Sequence, residues 1–334
     1  MAEGSNNGSN SHRPNLQGVL RLAVEASTSS DDPLVSEPMS EERKAWLQEA
    51  LSDLCRGQLD EVQQMKECLE ILNTSEERSS EEEEERDDEQ LRKKEAALEH
   101  LADLCENLDN ACDLVKLGGL EFIVSRLLND PSSGIRWRSA HLIGCACQNM
   151  PAVQSHLLTL KALPNLLELV DKDLNDSVRI KALYAVSCLV REEESAFQEF
   201  LQLDGFSVLL RGMQSGLDKL RTKSAFLLHN LLISHPEHRD TLISMGMVQQ
   251  LVSVLRMDHQ SFHEYVLGAL CSLVNDSPHG VRECQSPRLH LEELLHKKTE
   301  DLSGREECQE VLQYCDHLLK SCFHMQCEEN AMDR

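Results

Sequence analysis

The sequence predicts an all-α protein in which short helices stack as repeats, an α-solenoid. Two series of apolar positions recur every 42 or 43 residues and keep one register along the chain. The first series consists of Leu101, Ile143, Val186, Leu228 and Leu270, and the second of Leu120, Leu163, Phe206 and Val248. Repeats of about 40–47 residues with two or three helices each are typical of armadillo and HEAT proteins. We therefore predict an armadillo/HEAT-like α-solenoid whose exposed end is covered by a C-terminal capping helix.

The start of each predicted inner helix supports the same register. A basic residue, one intervening residue and a second basic residue begin at Arg136, Arg179 and Arg221, and small and apolar residues follow each time. Because separate sets of positions agree on one period, chance is a poor explanation. The repeats are predicted to span residues 91–300 as about five units.

Composition supports a helical protein and limits its partners. Aromatic residues make up 4% of the 334 residues, with only 15 Gly and 9 Pro, so a β-architecture is not expected. The formal net charge is −25 and no block of Lys or Arg occurs, which disfavours nucleic acid and anionic membranes as partners. No apolar run is long enough to span a bilayer, and the N-terminus lacks the apolar core of a secretion signal. The 13 cysteines lack the spacing of disulfide-rich secreted domains, so a cytoplasmic protein is expected, with the nucleus as a second compartment.

The region before the repeats has three predicted parts. Residues 1–38 are expected to be a disordered tail that contains a short amphipathic segment at 15–26. Apolar residues of this segment share one helical face: Leu16, Val19 and Leu20. Residues 39–75 are predicted to be helical, and residues 76–90, with ten acidic residues and two arginines, to be an acidic linker or an exposed helical lead-in.

The C-terminal region, residues 301–334, is predicted to be the capping helix followed by a polar tail. Leu289–Lys298 is expected to close the fifth unit before it. On the capping helix, Cys308, Cys315 and Cys322 lie seven residues apart. Cysteines on one face can bind zinc, but this spacing equally marks a core stripe, and core packing is the favoured interpretation. No metal or cofactor is therefore predicted.

No catalytic motif stands out along the chain. A phosphate-binding loop, a dinucleotide fingerprint and a nucleophile elbow are all missing from the sequence. The histidines of the His235–His238 stretch flank Pro236, which favours a turn between repeat helices over a metal site. We expect a binding protein and not an enzyme.

The inner groove of the solenoid supplies the candidate binding residues. The last helix of an armadillo unit lines this groove, and positions four residues apart on that helix face it. Armadillo proteins of the importin and catenin type use Trp and Asn there to hold a peptide, and of these only Asn230 is present. The sequence therefore favours a groove for a folded domain over a peptide reader. The candidate partner-binding residues are Asn107, Asn110, Trp137, His141, Asn149, Tyr184, Arg191, Phe226 and Asn230. For Trp137 and Phe226, packing between repeats is the alternative.

Several longer segments resemble one family. Most of the chain from Asn15 to about Phe323 is similar to the Hsp70-binding protein 1 family. The segments that carry the resemblance include FLQLDGFSVLLRGMQ, HPEHRDTLISMGMVQQLV and MSEERKAWLQEALSDLCRGQLDEVQQM. Members of this family are armadillo-type nucleotide-exchange factors of the chaperone heat-shock protein 70. The acidic run at 76–90 departs from the family pattern.

The resemblance implies a function that involves binding and no catalysis. The solenoid is expected to clasp the ATPase domain of heat-shock protein 70 and to promote ADP release as a co-chaperone, most simply as a monomer. The segment 15–26 resembles the family's release segment, which competes for the substrate-binding domain of the chaperone. Its alternative is a helix docked on the solenoid. The rival function is a generic armadillo scaffold or adaptor that binds a peptide or a ubiquitin ligase component.

Overall fold

The computed structural model describes residue 46 and residues 60–74, 84–191 and 193–324. Every regular element in these ranges is helical, which confirms the all-α prediction. The chain forms two compact units, Met1–Lys66 and Glu67–Arg334, and the repeats lie in the second. None of the described helices has both the length and the apolar character needed to cross a membrane. The predicted tail 1–38, the segment 15–26 with Leu16, Val19 and Leu20, and the first half of the acidic linker lie outside the described residues.

After α1 (60–73) and the long α2 (Glu84–Leu104), units of three helices follow in the part of the chain that the structure covers. The first two units comprise α3 (Leu108–Lys116), α4 (Gly119–Ser125) and α5 (Ser133–Cys147), then α6 (Pro151–Thr159), α7 (Ala162–Lys172) and α8 (Asp176–Val190). The third and fourth comprise α9 (Glu194–Gln202), α10 (Gly205–Met213) and α11 (Asp218–Ser234), then α12 (Arg239–Ser244), α13 (Met247–Leu255) and α14 (His263–Val274). The fifth comprises α15 (Pro278–Cys284), α16 (Leu291–Leu302) and α17 (Gln309–Leu319), and a π-helical turn at Lys320–His324 follows.

Local sequence explains where the helices begin and where the chain reverses. The side-chain oxygen of Asn175 accepts hydrogen bonds from the backbone N–H groups of Ser177 and Val178, at 2.9 and 3.2 Å, and so caps α8. Each of the first four units turns from its first to its second helix through a residue with positive φ: Gly118, Lys161, Asp204 and Gly246. A left-handed residue ends a helix and redirects the chain, so this turn is part of the repeat itself.

The first residue of each repeated basic pair holds the loop in front of its helix. The Arg136 guanidinium donates to the backbone oxygens of Asp130 and Pro131, both at 2.9 Å. Arg179 donates to the backbone oxygen of Val170 at 2.9 Å, and the third arginine makes the equivalent bond in the third unit. These carbonyl groups lie in the last turn of the second helix or just beyond it, where they have no helical partner. The recurring arginine therefore joins the second helix of a unit to the third.

Both apolar series form the core of the compact unit Glu67–Arg334. Every residue of the two series is 5% exposed or less, and most are fully buried. Burying one such side chain contributes about 1.5–3 kcal/mol to folding, so each repeated position adds to the stability of its unit. The solenoid prediction and its register are confirmed.

The ends of the repeat array differ from the predicted boundaries. The first helix of the array, α2, begins at Glu84 and not near residue 91, because the end of the acidic run is helical. The predicted capping helix is α17, the third helix of the fifth unit, and it packs on α14. The break at Gly304 is the loop between the second and third helices of that unit, where the chain adopts a positive φ of 83°. Cys308, Cys315 and Cys322 are buried, as the core interpretation of this stripe requires.

Candidate functional site

The third helices of the units, together with α2, present one continuous surface. In the order α2, α5, α8, α11, α14 and α17, each helix packs on the next. We call the uncovered side of these helices the ladder face. It corresponds to the groove predicted from the sequence.

A cavity of about 420 Å³ opens on the ladder face where α2, α5 and α8 meet. It is lined mainly by polar side chains: Asp103, Glu106, His141, Cys145, Gln148, Asn149 and Tyr184. Three predicted partner-binding residues, His141, Asn149 and Tyr184, are thus brought together. A volume of this size accepts a few side chains of a partner, so it is one part of a larger binding surface.

Tyr184 has a fixed position in the wall of this cavity. Its hydroxyl group donates to Oε1 of Gln148 at 3.0 Å, and its ring centroid lies 5.8 Å from that of His141. Gly144 leaves room for the ring, because a Cβ atom at that position would lie 2.4 Å from Cε1 of Tyr184. Nε2 of His141 in turn lies 3.6 Å from Sγ of Cys145. Packing and hydrogen bonding therefore hold the aromatic wall in one arrangement.

The imidazole, thiol and phenol groups of the cavity wall are held in neutral forms. Burial, and next the ammonium group of Lys181, lower the pKa of His141, so its imidazole is uncharged at neutral pH. Burial raises the pKa of the Tyr184 hydroxyl and of the Cys145 thiol. These groups donate and accept hydrogen bonds but provide no phenolate or thiolate nucleophile. The cavity is suited to recognition.

A second aromatic group continues the ladder face on α11, α14 and α17. Phe226 is 42% exposed, and its ring meets that of Tyr265 edge to face at 5.3 Å between centroids. The His229 ring lies 6.5 Å from that of Tyr265 and 6.4 Å from that of Tyr314. The exposure of Phe226 argues against the alternative that this ring packs between repeats. Exposed aromatic side chains on a rigid surface are typical anchors of a protein interface.

The sequence did not single out three aromatic residues of this group: His229, Tyr265 and Tyr314. Tyr265 follows Lys223 by 42 residues and therefore occupies, in the fourth unit, the second position of the basic pair. Continuing the register of that pair by one more unit finds it. Tyr314 lies on α17, the predicted capping helix, beyond the last position of either apolar series.

The other predicted residues lie at several places along the repeats. Asn230 is half-buried on α11. Trp137 is half-buried on α5, and the guanidinium carbon of Arg138 lies 4.1 Å from its ring centroid. Two candidates are exposed in the loops that follow α2 and α8: Asn107 and Arg191. Asn107 also accepts a hydrogen bond from the backbone N–H of Asp109 at 3.1 Å and so caps α3.

Asn110 requires a correction, because it is a core residue. Its side chain is 1% exposed, and its Nδ2 donates to the backbone oxygen of Leu104 at 2.9 Å. This bond satisfies a carbonyl group at the end of α2 that has no partner within the helix. An enclosed side chain cannot touch a partner directly, so the role of Asn110 is to fix the turn between α2 and α3.

Fold and surface together define a class of protein, an armadillo-type solenoid with an uncovered inner face. Among solved structures, a designed armadillo repeat protein, YIII(Dq)4CqI, is similar with a TM-score of 0.59 and 17% sequence identity. The match covers 77% of this chain and 98% of the designed protein. At this identity the likeness shows the fold alone.

Sequence comparison places the chain more narrowly. Residues 110–216 match a family model described as the SIL1/FES1/HPBP1 C-terminal domain, and residues 16–114 match one described as nucleotide exchange factor Fes1. Hsp70-binding protein 1 of Mus musculus is 54% identical over 320 residues, which cover 96% of this chain and 88% of the relative. The Homo sapiens protein of the same name is 53% identical with the same coverage. The chain belongs to the Hsp70-binding protein 1 family, as its resemblance to that family predicted.

Proposed function

We propose that this chain is a co-chaperone, a nucleotide-exchange factor that clasps the ATPase domain of heat-shock protein 70 and promotes ADP release. The observation that carries the proposal is the match of residues 16–114 to the model described as nucleotide exchange factor Fes1. The identity of the partner is inferred from relatives named Hsp70-binding protein 1, whose match covers 96% of this chain. The ladder face supplies the surface, with a polar cavity at α2–α8 and aromatic rings at α11–α17.

Exchange by a clasp depends on a difference in affinity. The chain must bind the nucleotide-free or open ATPase domain more tightly than the ADP-bound domain, since a ligand shifts an equilibrium only by its differential affinity. Linkage then requires ADP to weaken the binding of this chain by the same factor, a coupling of about 1–3 kcal/mol. No bond is made or broken by the chain in this scheme.

Such a clasp also needs a stiff solenoid, so that the free energy of binding deforms the partner. Polar contacts between and within the units add to the core packing. Arg211 of α10 forms a two-point ion pair with Asp171 of α7, at 2.7 and 3.0 Å, which joins the second and third units. Inside the second unit, Nε2 of Gln154 donates to the backbone oxygen of Cys188 at 2.8 Å.

We extend the proposal to the N-terminal segment, the oligomeric state and the cellular compartment. The segment 15–26 acts on the substrate-binding domain of the chaperone, and the chain works as a monomer in the cytoplasm. All eleven described cysteines are free thiols, which supports a reducing compartment.

The test is the rate at which labelled ADP leaves heat-shock protein 70 in the presence of the full chain. We expect faster release at saturating chain and no ATP hydrolysis by the chain alone. Tyr184→Ala with Phe226→Ala should weaken the acceleration, whereas Leu174→Ala should not, because Leu174 is fully exposed in the loop between α7 and α8. An unchanged release rate with wild-type chain would refute the proposal.

The rival role is an adaptor for a peptide or a ubiquitin ligase component. It predicts capture of partners from cytosol that does not depend on nucleotide. Recovery of heat-shock protein 70 mainly when ATP is absent supports exchange, and equal recovery with and without ATP supports the adaptor.

A further inference from the structure

Four buried thiols lie in the core where α14 packs on the fifth unit. They are Cys271 on α14, Cys284 at the end of α15, Cys315 on α17 and Cys322 in the π-helical turn, and each is 9% exposed or less. All four are free thiols. Burial, and then the neighbouring thiols of Cys315 and Cys322, raise the pKa of Cys271 to about 12. Cysteines grouped in this way can form disulfides with one another, which a lone buried thiol cannot do.

Within this group, Cys284 and Cys322 are in direct contact. Their thiol groups are hydrogen-bonded to each other, and α15 packs against the π-helical turn. Gln285, the next residue along the chain, donates a hydrogen bond from its side-chain amide to the backbone oxygen of Cys322. These contacts hold the two chain segments side by side. A disulfide requires close and correctly directed side chains, so two thiols already in contact can be joined with little movement of the backbone.

The hydrogen bond between the two thiols gives them different reactivities. It raises the pKa of Cys284, with burial acting in the same direction, and it lowers the pKa of Cys322 against the effect of burial. The thiolate is the nucleophile in cysteine chemistry, so Cys322 is the reactive member of the pair. Burial raises the pKa of the neighbouring Cys315 to about 11, which keeps that thiol protonated. The pair thus resembles a reactive cysteine beside a resolving cysteine.

Both cysteines lie at the ends of helical elements. Cys284 is the last residue of α15, and Cys322 lies in the π-helical turn that continues α17. π-Helical turns are rare and often occur at functional sites. The ends of elements open locally at a lower cost in free energy than the centres of helices. Such opening admits a small oxidant to thiols that are only 1% and 2% exposed in the closed structure.

We propose that Cys284 and Cys322 form a reversible disulfide when the chain reacts with hydrogen peroxide. The Cys322 thiolate attacks one peroxide oxygen: an S–O bond forms, the O–O bond breaks, and the departing hydroxide takes up the proton that Cys322 released. Cys284 then attacks the sulfur of this sulfenic acid: an S–S bond forms, the S–O bond breaks, and hydroxide leaves with the Cys284 proton as a second water. Two thiols lose two electrons, and one peroxide gains them. A dithiol reductant reverses the reaction by thiol–disulfide exchange.

The disulfide joins the first helix of the fifth unit to the end of its third helix. It closes a loop between Cys284 and Cys322 that contains α16 and α17. A crosslink removes conformational freedom from the unfolded chain, and in the chain-entropy model a longer loop gives a larger effect. Oxidation therefore stabilises the fifth unit, whose α17 carries Tyr314 on the ladder face. This modification is a property of the unit itself and does not depend on the proposed function.

Mass spectrometry of the full chain tests the disulfide without any partner protein. The chain is incubated with hydrogen peroxide, alkylated with N-ethylmaleimide and digested without reduction. We expect a peptide that links Cys284 to Cys322 and disappears on treatment with dithiothreitol. Cys284→Ser should stop at a sulfenic acid on Cys322, which dimedone labels, whereas Cys322→Ser should give neither product. Cys112→Ser, at a half-buried position on α3, is the control and should keep the crosslink.

The wild-type result alone decides for or against the disulfide, so a variant that fails to fold does not obscure it. Alkylation of both Cys284 and Cys322 after peroxide treatment overturns the proposal. A crosslink from Cys322 to Cys327, or a sulfenic acid on Cys322 that Cys284 never resolves, overturns it as well. The crosslinked chain should also unfold several degrees above the reduced chain on heating, and an equal midpoint would contradict the stabilisation of the fifth unit.

Discussion

Arg136 and Asp173 join the first two repeats through a two-point ion pair in which Nε and Nη2 lie 2.8 and 3.0 Å from the two carboxylate oxygens. The side chains are only 17% and 5% exposed. Asp173 also accepts a hydrogen bond from the backbone N–H of Asn175 at 2.8 Å, just before α8 begins. Burial acts to raise the pKa of Asp173, but these bonds outweigh it, so the pKa lies below its ordinary value.

Replacing Asp173 by Ala should destabilise the solenoid strongly. The Arg136 guanidinium would keep its enclosed position without a counter-charge, and removing one partner of a buried pair costs about 3 kcal/mol. We expect a loss of that size in the free energy of unfolding measured with urea. Glu168→Ala is the control, because its ion pair with Lys172 is exposed and contributes little. A loss for Asp173→Ala no larger than for Glu168→Ala would contradict this account.

The pH dependence of stability should depend on His263. This residue is fully buried at the start of α14, and Nζ of Lys298 lies 3.2 Å from its Nδ1. Burial, then the charges of Lys298, His259 and Arg221, lower the pKa of His263 to about 3. The folded state therefore keeps His263 neutral while the unfolded chain binds a proton below about pH 6.5, so its contribution to stability is lost as pH falls from 6.5 towards 3.

His263→Gln tests this directly. We expect the variant to lose less stability on acidification than the wild-type chain, by up to about 1.4 kcal/mol per pH unit within that window, because one proton is no longer taken up on unfolding. His290→Gln, at an exposed position before α16, is the control. Urea unfolding at a series of pH values measures both. Parallel profiles for His263→Gln and wild type would refute the assignment.

Gly144 should couple the stacking of α5 on α8 to partner binding. A Cβ atom at this position would lie 2.4 Å from Cε1 of Tyr184 and 3.3 Å from the Cα of Ala185, so Gly144→Ala must displace the tyrosine ring. We expect a destabilisation of about 1–3 kcal/mol from overpacking, together with slower ADP release by the chaperone, since the cavity wall moves. Gly216→Ala is the matched control, because no atom lies within 4 Å of the added carbon. Normal exchange by folded Gly144→Ala would show that the position of Tyr184 does not matter.

The sequence predicted the parts of the fold that the repeat period controls. Leu101 and its equivalents had to be buried because stacked third helices hide the same position in every unit, and the structure buries them all. The repeat period does not predict which residue stands at a position where one unit differs from the others. In the fourth unit, Tyr265 stands where the preceding units have a basic residue. Asn110 is a polar residue that would be expected on the surface, but the turn between α2 and α3 encloses it. Side-chain hydrogen bonds to the backbone depend on the path of the chain, which the period does not determine.

The last prediction separates the two ends of the chain. Leu16→Asp with Leu20→Asp should leave the rate of ADP release unchanged and should slow the net release of a substrate from the chaperone. The physical reason is occupancy: a released substrate rebinds unless another apolar segment fills its site, and covalent linkage supplies that segment at a high effective concentration. Charged residues on the apolar face of 15–26 remove its affinity for such a site. Ser27→Asp with Ser30→Asp adds the same charge beyond the segment and serves as the control. Fluorescence of a labelled substrate peptide and of labelled ADP gives the two rates. Equal impairment of both rates by the Leu16 and Leu20 changes would instead indicate a structural helix docked on the solenoid.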